Sequence, residues 1–315
     1  MRGSVFAFYL CFMDFGLIRH AVFTGHQAAV YCVAPALQDG FFLSGGSDTH
    51  VIEWDLSEQM NPRIIARSAG VIYSLLALRE TSLLFIGNNQ GGIHVVDVEE
   101  KRELHYWMAH QTGVFDLKWM PHTREIWAAG ADGVLSIWDA DRLENKALIK
   151  LSNQKIRKIE ASADRSQVAL ACSDGKIYLL DADRTLETLN PEADAVNALA
   201  FSPNGNWLLS GTKNAHLQVW DWPNRKLVEQ IPAHNFALYG IQFTEDGRHF
   251  ITISRDKTIK LWDAESFGVM QRVDKETSGH LNSVNSGFYD PNSGMFISGS
   301  DDRSVMAWKF EKKFK

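Results

Sequence analysis

Three groups of polar side chains recur in this sequence with the same residue types and the same spacing. Each group has a histidine, then a serine or threonine, then an aspartate, and it ends at a tryptophan six residues beyond the aspartate. The groups are His26, Ser44, Asp48 and Trp54; His234, Thr252, Asp256 and Trp262; and His280, Ser298, Asp302 and Trp308. A hydroxyl, an imidazole and a carboxylate together are the parts of a hydrolase triad, in which the imidazole takes the hydroxyl proton.

Other catalytic and metal-binding signatures are absent from the sequence. It contains no HExxH, GxSxG, Walker-A or GxGxxG motif. The 11 histidines are scattered without paired ligand spacing, so neither a metal site nor a cofactor is expected. The cysteines Cys11, Cys32 and Cys172 are odd in number and form no CxxC, which favours a reducing, cytoplasmic setting.

Composition narrows the class of protein further. The chain has 315 residues and a net charge of −6, with 38 acidic and 32 basic residues, which argues against a nucleic-acid binder. An apolar content of 45% is ordinary for a globular protein. The apolar run from Val5 to Met13 follows Arg2 and has the outline of a signal peptide, but it is too short to span a bilayer. Export is therefore the alternative to a cytoplasmic protein with an unpaired leader or a mis-assigned start.

The elements that carry the polar groups repeat along the whole chain. Trp-Asp pairs, or Val96-Asp97 and Leu180-Asp181 in two double-length gaps, anchor seven units at steps of 42, 42, 42, 40, 42 and 46 residues. Within the fifth unit, the alternating run Ala195 to Phe201 is followed by a Pro-Asn-Gly turn, a second short run and the strand His216 to Trp220. A fourth strand follows each anchor, so each unit is predicted to be a four-stranded antiparallel sheet.

These residues resemble the WD40-repeat family. Gly25-His26 opens the first unit, Ala233-His234 opens the sixth, and each of these units closes at a Trp-Asp pair. The resemblance implies an all-β fold, a seven-bladed β-propeller. It also implies that each His, Ser or Thr, Asp and Trp group is a structural hydrogen-bonded tetrad inside a blade, so hydrolysis is rejected.

Four units depart from the tetrad pattern. The third has His110, Asp132 and Trp138 but Ala128 at the hydroxyl position. The fifth keeps Ser210 and Trp220, with Asn214 in place of the aspartate and no histidine. The second and fourth are nearly bare of the motif. All four are expected to fold, because replacement of a whole polar set by apolar groups can be nearly neutral.

Ring closure is predicted to join the two ends of the chain. The seventh unit ends soon after its third strand, and the alternating run Leu17 to Phe23 leads into Gly25-His26 as fourth strands do elsewhere. This run is expected to complete the last blade and hide its edge. The predicted domains are thus residues 1–14, a leader or unpaired segment, and residues 15–315, the propeller.

Two columns of the stacked repeats vary and are candidates for partner binding. The resemblance to WD40 proteins implies that the residues of the first column lie at the rim of the narrow top face, around the central channel. This column reads Tyr31, Tyr73, Phe115, Arg157, Asn197, Tyr239 and Asn285. Aromatic residues and arginine dominate interface hot spots, although some of these rings could instead pack between blades. The second column, just before the turn aspartate, adds Lys213 and Arg255 to a basic sector that could receive an acidic or phosphorylated peptide, or could simply be solvated.

The predicted function is a non-enzymatic scaffold that binds peptide segments or protein partners on this face, as a monomeric propeller within complexes. One alternative is a propeller that binds a small molecule, or catalyses, at the channel mouth. Another is a structural subunit that uses its side surfaces, where four tryptophans off the main motif could be exposed or buried. They are Trp107, Trp119, Trp127 and Trp222.

Overall fold

A computed structural model describes residues 14–190 and 194–313, so most of the predicted leader lies outside the described residues. These residues form 28 β-strands and one short 3₁₀ turn, Lys275–Thr277. The all-β prediction is confirmed, and so is the prediction of seven four-stranded antiparallel sheets.

The strands follow the chain blade by blade. The chain begins with β1 (Asp14–Thr24). The first three blades consist of β2 (Val30–Pro35), β3 (Phe41–Gly46), β4 (His50–Asp55), β5 (Arg63–Arg67); β6 (Ile72–Leu78), β7 (Leu83–Asn88), β8 (Gly92–Asp97), β9 (Arg102–Met108); and β10 (Val114–Met120), β11 (Glu125–Gly130), β12 (Val134–Asp139), β13 (Glu144–Lys150). The next three consist of β14 (Ile156–Ala161), β15 (Gln167–Cys172), β16 (Ile177–Asp181), β17 (Leu186–Leu189); β18 (Val196–Phe201), β19 (Trp207–Thr212), β20 (His216–Asp221), β21 (Lys226–Pro232); and β22 (Leu238–Phe243), β23 (His249–Ser254), β24 (Ile259–Asp263), β25 (Val269–Val273). The seventh consists of β26 (Val284–Asp290), β27 (Met295–Ser300), β28 (Ser304–Lys313) and β1.

The blades close into a ring through their innermost strands. The first strand of each blade contacts the first strand of the next, in the order β2, β6, β10, β14, β18, β22, β26 and back to β2. The predicted closure is confirmed, because β1 pairs antiparallel with β28, with Leu17 opposite Phe310 and Phe23 opposite Val305. β1 begins at Asp14, three residues earlier than the alternating pattern indicates.

The hydrophobic core is divided among the seven interfaces between neighbouring blades. Each interface has its own cluster of buried apolar side chains, contributed by both blades. The anchor tryptophans belong to these clusters; Trp54 packs with Phe23 of the preceding blade, for example. Of the four off-motif tryptophans, Trp107, Trp127 and Trp222 are buried and Trp119 is half-buried. The tryptophans therefore serve mainly to join blades.

The structure brings the three predicted tetrads together as continuous hydrogen-bonded chains. In the first blade, Trp54 Nε1 donates to Ser44 Oγ at 2.6 Å, Ser44 Oγ lies 2.6 Å from His26 Nε2, and His26 Nδ1 lies 2.8 Å from an Asp48 oxygen. The corresponding distances are 2.8–3.0 Å in the sixth blade and 2.8–2.9 Å in the seventh. The serine and threonine hydroxyls are wholly buried, so they are inaccessible to a substrate.

Burial also determines the protonation state of two tetrad histidines, His26 and His234. It lowers the pKa of His26 and His234, so both imidazoles are neutral at pH 7. A neutral ring can donate Nδ1–H to the aspartate and accept the hydroxyl proton at Nε2, which satisfies every member of the chain. Burial opposes the ionisation of Asp256, but the hydrogen bonds from His234, Thr258 and a backbone N–H outweigh it and lower the pKa of that carboxyl.

The third blade completes its tetrad with a residue that the sequence pattern missed. Ser136 lies directly opposite Ala128 on the neighbouring strand. Its hydroxyl accepts from Trp138 Nε1 at 2.9 Å and lies 3.0 Å from His110 Nε2. His110 Nδ1 in turn lies 3.1 Å from Asp132. Ala128 therefore leaves no gap in this hydrogen-bonded chain, because a hydroxyl can reach the same point from either strand.

The same strand position repairs three more blades. It is the residue two before the anchor, and in the second to fifth blades it is polar: His94, Ser136, Tyr178 and Gln218. Gln218 Oε1 accepts from Ser210 at 2.9 Å in the fifth blade, where the histidine is missing. Tyr178 donates to Asp174 at 2.7 Å, and His94 Nδ1 lies 2.8 Å from Glu103. The second and fourth blades, which are nearly bare of the tetrad motif, therefore contain other polar networks in its place.

Candidate functional site

The seven residues of the first candidate column share one backbone feature. In every inner strand, the register with the next strand shifts between the first and third residues, for example between Val30 and Cys32. The skipped residues are Tyr31, Tyr73, Phe115, Arg157, Asn197, Tyr239 and Asn285. A β-bulge leaves its extra residue out of the ladder and re-aims its side chain. The seven bulges thus direct these side chains towards the end of the central channel at which the inner strands begin.

All seven side chains line one cavity of about 270 Å³ at the end of the channel where the inner strands begin. Each is half-buried, so the column is neither core nor freely solvated surface. Two further residues, Asp116 and Lys158, complete the lining. We call this cavity the channel mouth.

Three aromatic rings form an arc along one side of the channel mouth. Tyr31 meets Tyr73 edge-on at 5.7 Å between ring centroids, and Tyr73 stacks on Phe115 at 5.3 Å. The Arg157 guanidinium lies over the other end of the arc, 4.5 Å from the Phe115 centroid. These contacts hold the rings in fixed orientations across four blades, which lowers the entropy that a bound partner would have to remove.

Arg157 is the least compensated charge of the site. Its Nε donates to Ser173 Oγ at 3.1 Å, and no carboxylate lies within ion-pair distance among the described residues. Burial lowers the pKa of its guanidinium, which still remains protonated at pH 7. A partly desolvated cation without a counter-ion favours an anionic ligand.

Asp116 and Lys158, which the repeat columns did not single out, form an ion pair beside Arg157. Lys158 Nζ lies 3.1 Å from an Asp116 oxygen, and Asp116 Oδ2 also accepts the Ile159 N–H at 2.8 Å. Burial lowers the pKa of Lys158, but Asp116 and Glu160 outweigh it, so the net pKa is raised. A pairing between blades at the third position of the inner strand gives no signal in a single sequence.

Two members of the column also lock blades together. Asn285 Nδ2 donates to the Val30 carbonyl at 2.9 Å, and Asn197 Nδ2 donates to the Leu238 carbonyl at 3.4 Å. Asn285 Nδ2 also lies 2.7 Å from an Asp301 oxygen. The asparagines therefore have structural partners already, which leaves the aromatic arc, Arg157 and Tyr239 as the side chains with most freedom to bind.

The other two basic residues lie outside the channel mouth. Lys213 and Arg255 are exposed in the turns after β19 and β23, and neither lines the cavity. Lys213 lies 3.3 Å from Asp194, an exposed pair that contributes little. Arg255 has no ion-pair partner within the described ranges. Lys213 and Arg255 therefore do not share the cavity with Arg157, and their part in partner binding stays a prediction.

Two other kinds of site have no candidate among the described residues. In residues 14–190 and 194–313, no group of three or more His, Cys, Asp or Glu side chains is arranged to hold a metal ion. The same residues contain no helix long and apolar enough to cross a membrane.

Comparison with known proteins places the fold in a family. A family model described as "Nucleolar protein 10-like, N-terminal domain" matches residues 62–309, and one described as "WD domain, G-beta repeat" matches residues 18–55. A solved structure, the WD40 β-propeller domain of Doa1, superposes with a TM-score of 0.82 at 20% identity, covering 94% of this chain and 98% of that one. At that identity, the superposition speaks for the fold alone.

Curated relatives match at low identity. The WD repeat-containing protein 26 homolog of Arabidopsis thaliana is 22% identical over 300 residues, which are 92% of this chain and 50% of that protein. Protein HIR1 of Candida albicans is 24% identical over 59% of this chain and 21% of its own length. U3 small nucleolar RNA-associated protein 12 of Saccharomyces cerevisiae is 32% identical over 36% of this chain and 12% of its own length.

The chain thus spans half of the length of the first of these relatives and less of the other two. The propeller, its repeat signature and the family model that covers most of the sequence agree with one another. The chain belongs to the WD40-repeat β-propellers of the nucleolar protein 10-like, N-terminal domain family.

Proposed function

We propose that this protein is a non-enzymatic scaffold whose channel mouth binds an acidic or phosphorylated segment of a protein partner. The observation that carries the proposal is Arg157, a half-buried cation stacked on Phe115 with no carboxylate partner among the described residues. A phosphate or carboxylate could accept two parallel hydrogen bonds from its guanidinium. Lys213 and Arg255 would extend the attraction to neighbouring acidic positions, and their exposure favours faster association over added affinity.

The aromatic arc supports recognition of a peptide rather than of a free ion. Tyr31, Tyr73 and Phe115 offer ring faces and edges beside Arg157, and such rings supply contact area at low entropic cost. Because the column residues are bulged out of the strand ladder, they can contact a partner without loss of backbone hydrogen bonds. The relatives named above support protein association in general, and we extend that role to this chain.

Acid–base catalysis at the channel mouth receives little support. The one carboxylate that lines it, Asp116, is engaged by Lys158 and by the Ile159 N–H. A catalytic pair would need two carboxylates or a histidine converging on the same space. A role as a monomeric subunit within a larger complex is compatible with peptide binding at this face. The cytoplasmic location stays a prediction.

The test uses immobilised peptide libraries with a fixed central residue, in three versions: phosphoserine, glutamate and serine. We expect the parent protein to bind the first two and not the third, and we expect Arg157→Gln to lose at least about tenfold in affinity. The control is Arg142→Gln, an exposed arginine in the turn after β12, which should bind as the parent does. Equal binding by Arg157→Gln and the parent would overturn the proposal.

Partner capture from cells gives a second reading. Arg157→Glu and Tyr239→Ala should each lose protein partners that the parent retains. A pull-down in which both variants keep every partner would direct attention to the side surfaces instead.

A further inference from the structure

A second cavity lies between the third and fourth blades and is separate from the channel mouth. Its volume is about 720 Å³. The lining includes the end of β10 with the turn that follows it, the end of β14 with its turn, and the turn after β16. Phe115 and Arg157, which line the channel mouth, lie near the first residues of β10 and β14, whereas this cavity lies at the last residues of the same strands. It is therefore on the opposite face of the propeller. We call it the interblade cleft.

The fourth blade has small residues at two paired positions that line the cleft. Leu180 occupies the anchor position that is tryptophan in five blades, and it faces Val168 across the strand pair. In the first, sixth and seventh blades the corresponding pair is phenylalanine and tryptophan, as at Phe42 and Trp54. The fourth blade therefore presents less side-chain volume to the cleft at these two positions than a Phe and Trp pair would. The second blade, with Val96 at its anchor, contributes no residue to this cleft.

Large apolar side chains from the third blade line the other side. Trp127 is buried, while Trp119 and Met120 are half-buried and face the cleft. Arg124 lies 5.7 Å from the Trp119 ring centroid and helps hold the indole in place. A cleft whose lining surface is mainly apolar, with polar groups at its edges and a volume in the range of about 300–1,000 Å³, is typical for small organic ligands.

One buried carboxylate, that of Glu125, lies at one edge of the cleft. Glu125, only 5% exposed at its side chain, lies 2.7 Å from Lys146 Nζ and 3.2 Å from Arg184 Nη2 of the next blade. It also accepts the Trp127 indole N–H at 3.0 Å and the Thr123 hydroxyl at 3.1 Å. Burial opposes ionisation of Glu125, but the contacts with Lys146, Trp127 and Thr123 outweigh it and lower its pKa. Glu125 is thus an ionised, fully occupied acceptor that positions Arg184 without needing a ligand.

The remaining cation of the cleft lacks a carboxylate partner. Lys118 is paired with Glu160, and Arg184 with Glu125. Arg165 contacts only an imidazole, with its Nη1 3.5 Å from His122 Nε2, and within the described ranges it has no ion pair. Its guanidinium is exposed at the rim, above the apolar floor.

We propose that the interblade cleft binds a small organic anion, one with a flat apolar body that fills the space beside Leu180 and Val168 and one anionic group that meets Arg165. The lining consists of side chains at the ends of β10 and β14 and in the turns after β10, β14 and β16, so a ligand would be recognised there mainly by side-chain contacts. This site is independent of the acidic-peptide proposal for the channel mouth.

The test uses a matched pair of fluorescent probes. 8-Anilinonaphthalene-1-sulfonate has an aromatic body and an anionic group, and N-phenyl-1-naphthylamine has the same body without the charge. We expect both to bind the parent protein. Leu180→Trp, which installs the anchor residue of the other blades, should weaken both by at least about tenfold by filling the cleft. Arg165→Gln should weaken the sulfonate probe by about two- to fivefold and leave the neutral probe unchanged.

Controls separate this site from general apolar binding. Val96→Trp introduces the same residue at the anchor of the second blade and should not change the affinity of either probe. Arg157→Gln should also leave both affinities unchanged. Val168→Phe fills the cleft from the other strand and serves if Leu180→Trp fails to fold, as judged by its thermal unfolding. Unchanged probe binding in a folded cleft-filling variant would overturn the proposal, as would equal responses of both probes to Arg165→Gln.

A crystal soaked with the sulfonate probe gives a reading that needs no variant. Probe density in the cleft, with the sulfonate towards Arg165, would support the proposal. Density only at other places would refute it.

Discussion

The substitute tetrad of the third blade offers the sharpest test of how the blades are held together. Ser136→Ala removes a buried hydroxyl that contacts Trp138 Nε1 at 2.9 Å and His110 Nε2 at 3.0 Å. Both ring nitrogens would lose this partner inside the blade. An unsatisfied buried polar group costs about 1–3 kcal/mol, so we expect Ser136→Ala to lower the free energy of unfolding by about 2–4 kcal/mol. That is a large part of the about 5–15 kcal/mol typical of a folded domain.

A second variant moves the hydroxyl instead of deleting it. Ala128 is fully buried directly opposite Ser136, at the position that Ser44 occupies in the first blade. The double variant Ser136→Ala, Ala128→Ser should therefore regain at least half of the lost stability, because the serine returns to the usual tetrad position.

Urea unfolding followed by tryptophan fluorescence measures both variants against the parent. The slope with urea should be unchanged, so that the midpoints report stability directly. A loss below about 0.5 kcal/mol in Ser136→Ala would refute the reasoning. So would a double variant that is no more stable than the single one.

Three further predictions follow from the described contacts. Asp256→Ala should lower the melting temperature more than Gln90→Ala, its counterpart in the second blade, because Asp256 holds His234 whereas Gln90 is exposed; equal melting temperatures would contradict this account. Burial lowers the pKa of His26, His110 and His234, so below about pH 6.5 the unfolded chain binds more protons than the folded one. The melting temperature should therefore be constant above pH 7 and should fall as the pH is lowered from 6.5 to 5. A melting temperature that rises as the pH is lowered over that interval would count against neutral buried imidazoles. Removal of residues 1–14 should leave a folded protein and removal of residues 1–24 should not, because the longer deletion takes away β1. Circular dichroism and sedimentation of the two truncated proteins measure this difference. Equal stability of the two would exclude a ring closure that depends on β1.

Nearly all of the fold could be predicted from the spacing of the repeats. Strand number, blade number and the pairing of the Leu17 to Phe23 run with the last blade could be predicted, because each depends on local alternation and on a fixed period. The contribution of Ser136 could not be predicted in the same way. It depends on which residue lies opposite Ala128 across two strands, and single-column comparison treats these positions as unrelated.

The candidate site was predictable in position but not in geometry. Stacking the repeats identified the column from Tyr31 to Asn285, yet nothing in a single unit shows that each of these residues sits in a β-bulge. The ion pair of Asp116 with Lys158 and the interblade cleft beside Leu180 arise from contacts between blades. Such contacts become visible only when neighbouring units are placed side by side.

Because β1 pairs with β28, the seventh blade can be completed only late in the synthesis of this protein. About 280 residues separate the two strands, so at about 5–20 residues per second β1 waits roughly 15–60 s for its partner. During this time β1 is a nascent strand with an open edge and apolar side chains such as Leu17 and Phe23 that have no sheet to cover them. Any chain interrupted before β28 would leave that edge unpaired, and an unpaired edge can pair with a strand of another chain and so lead to aggregation.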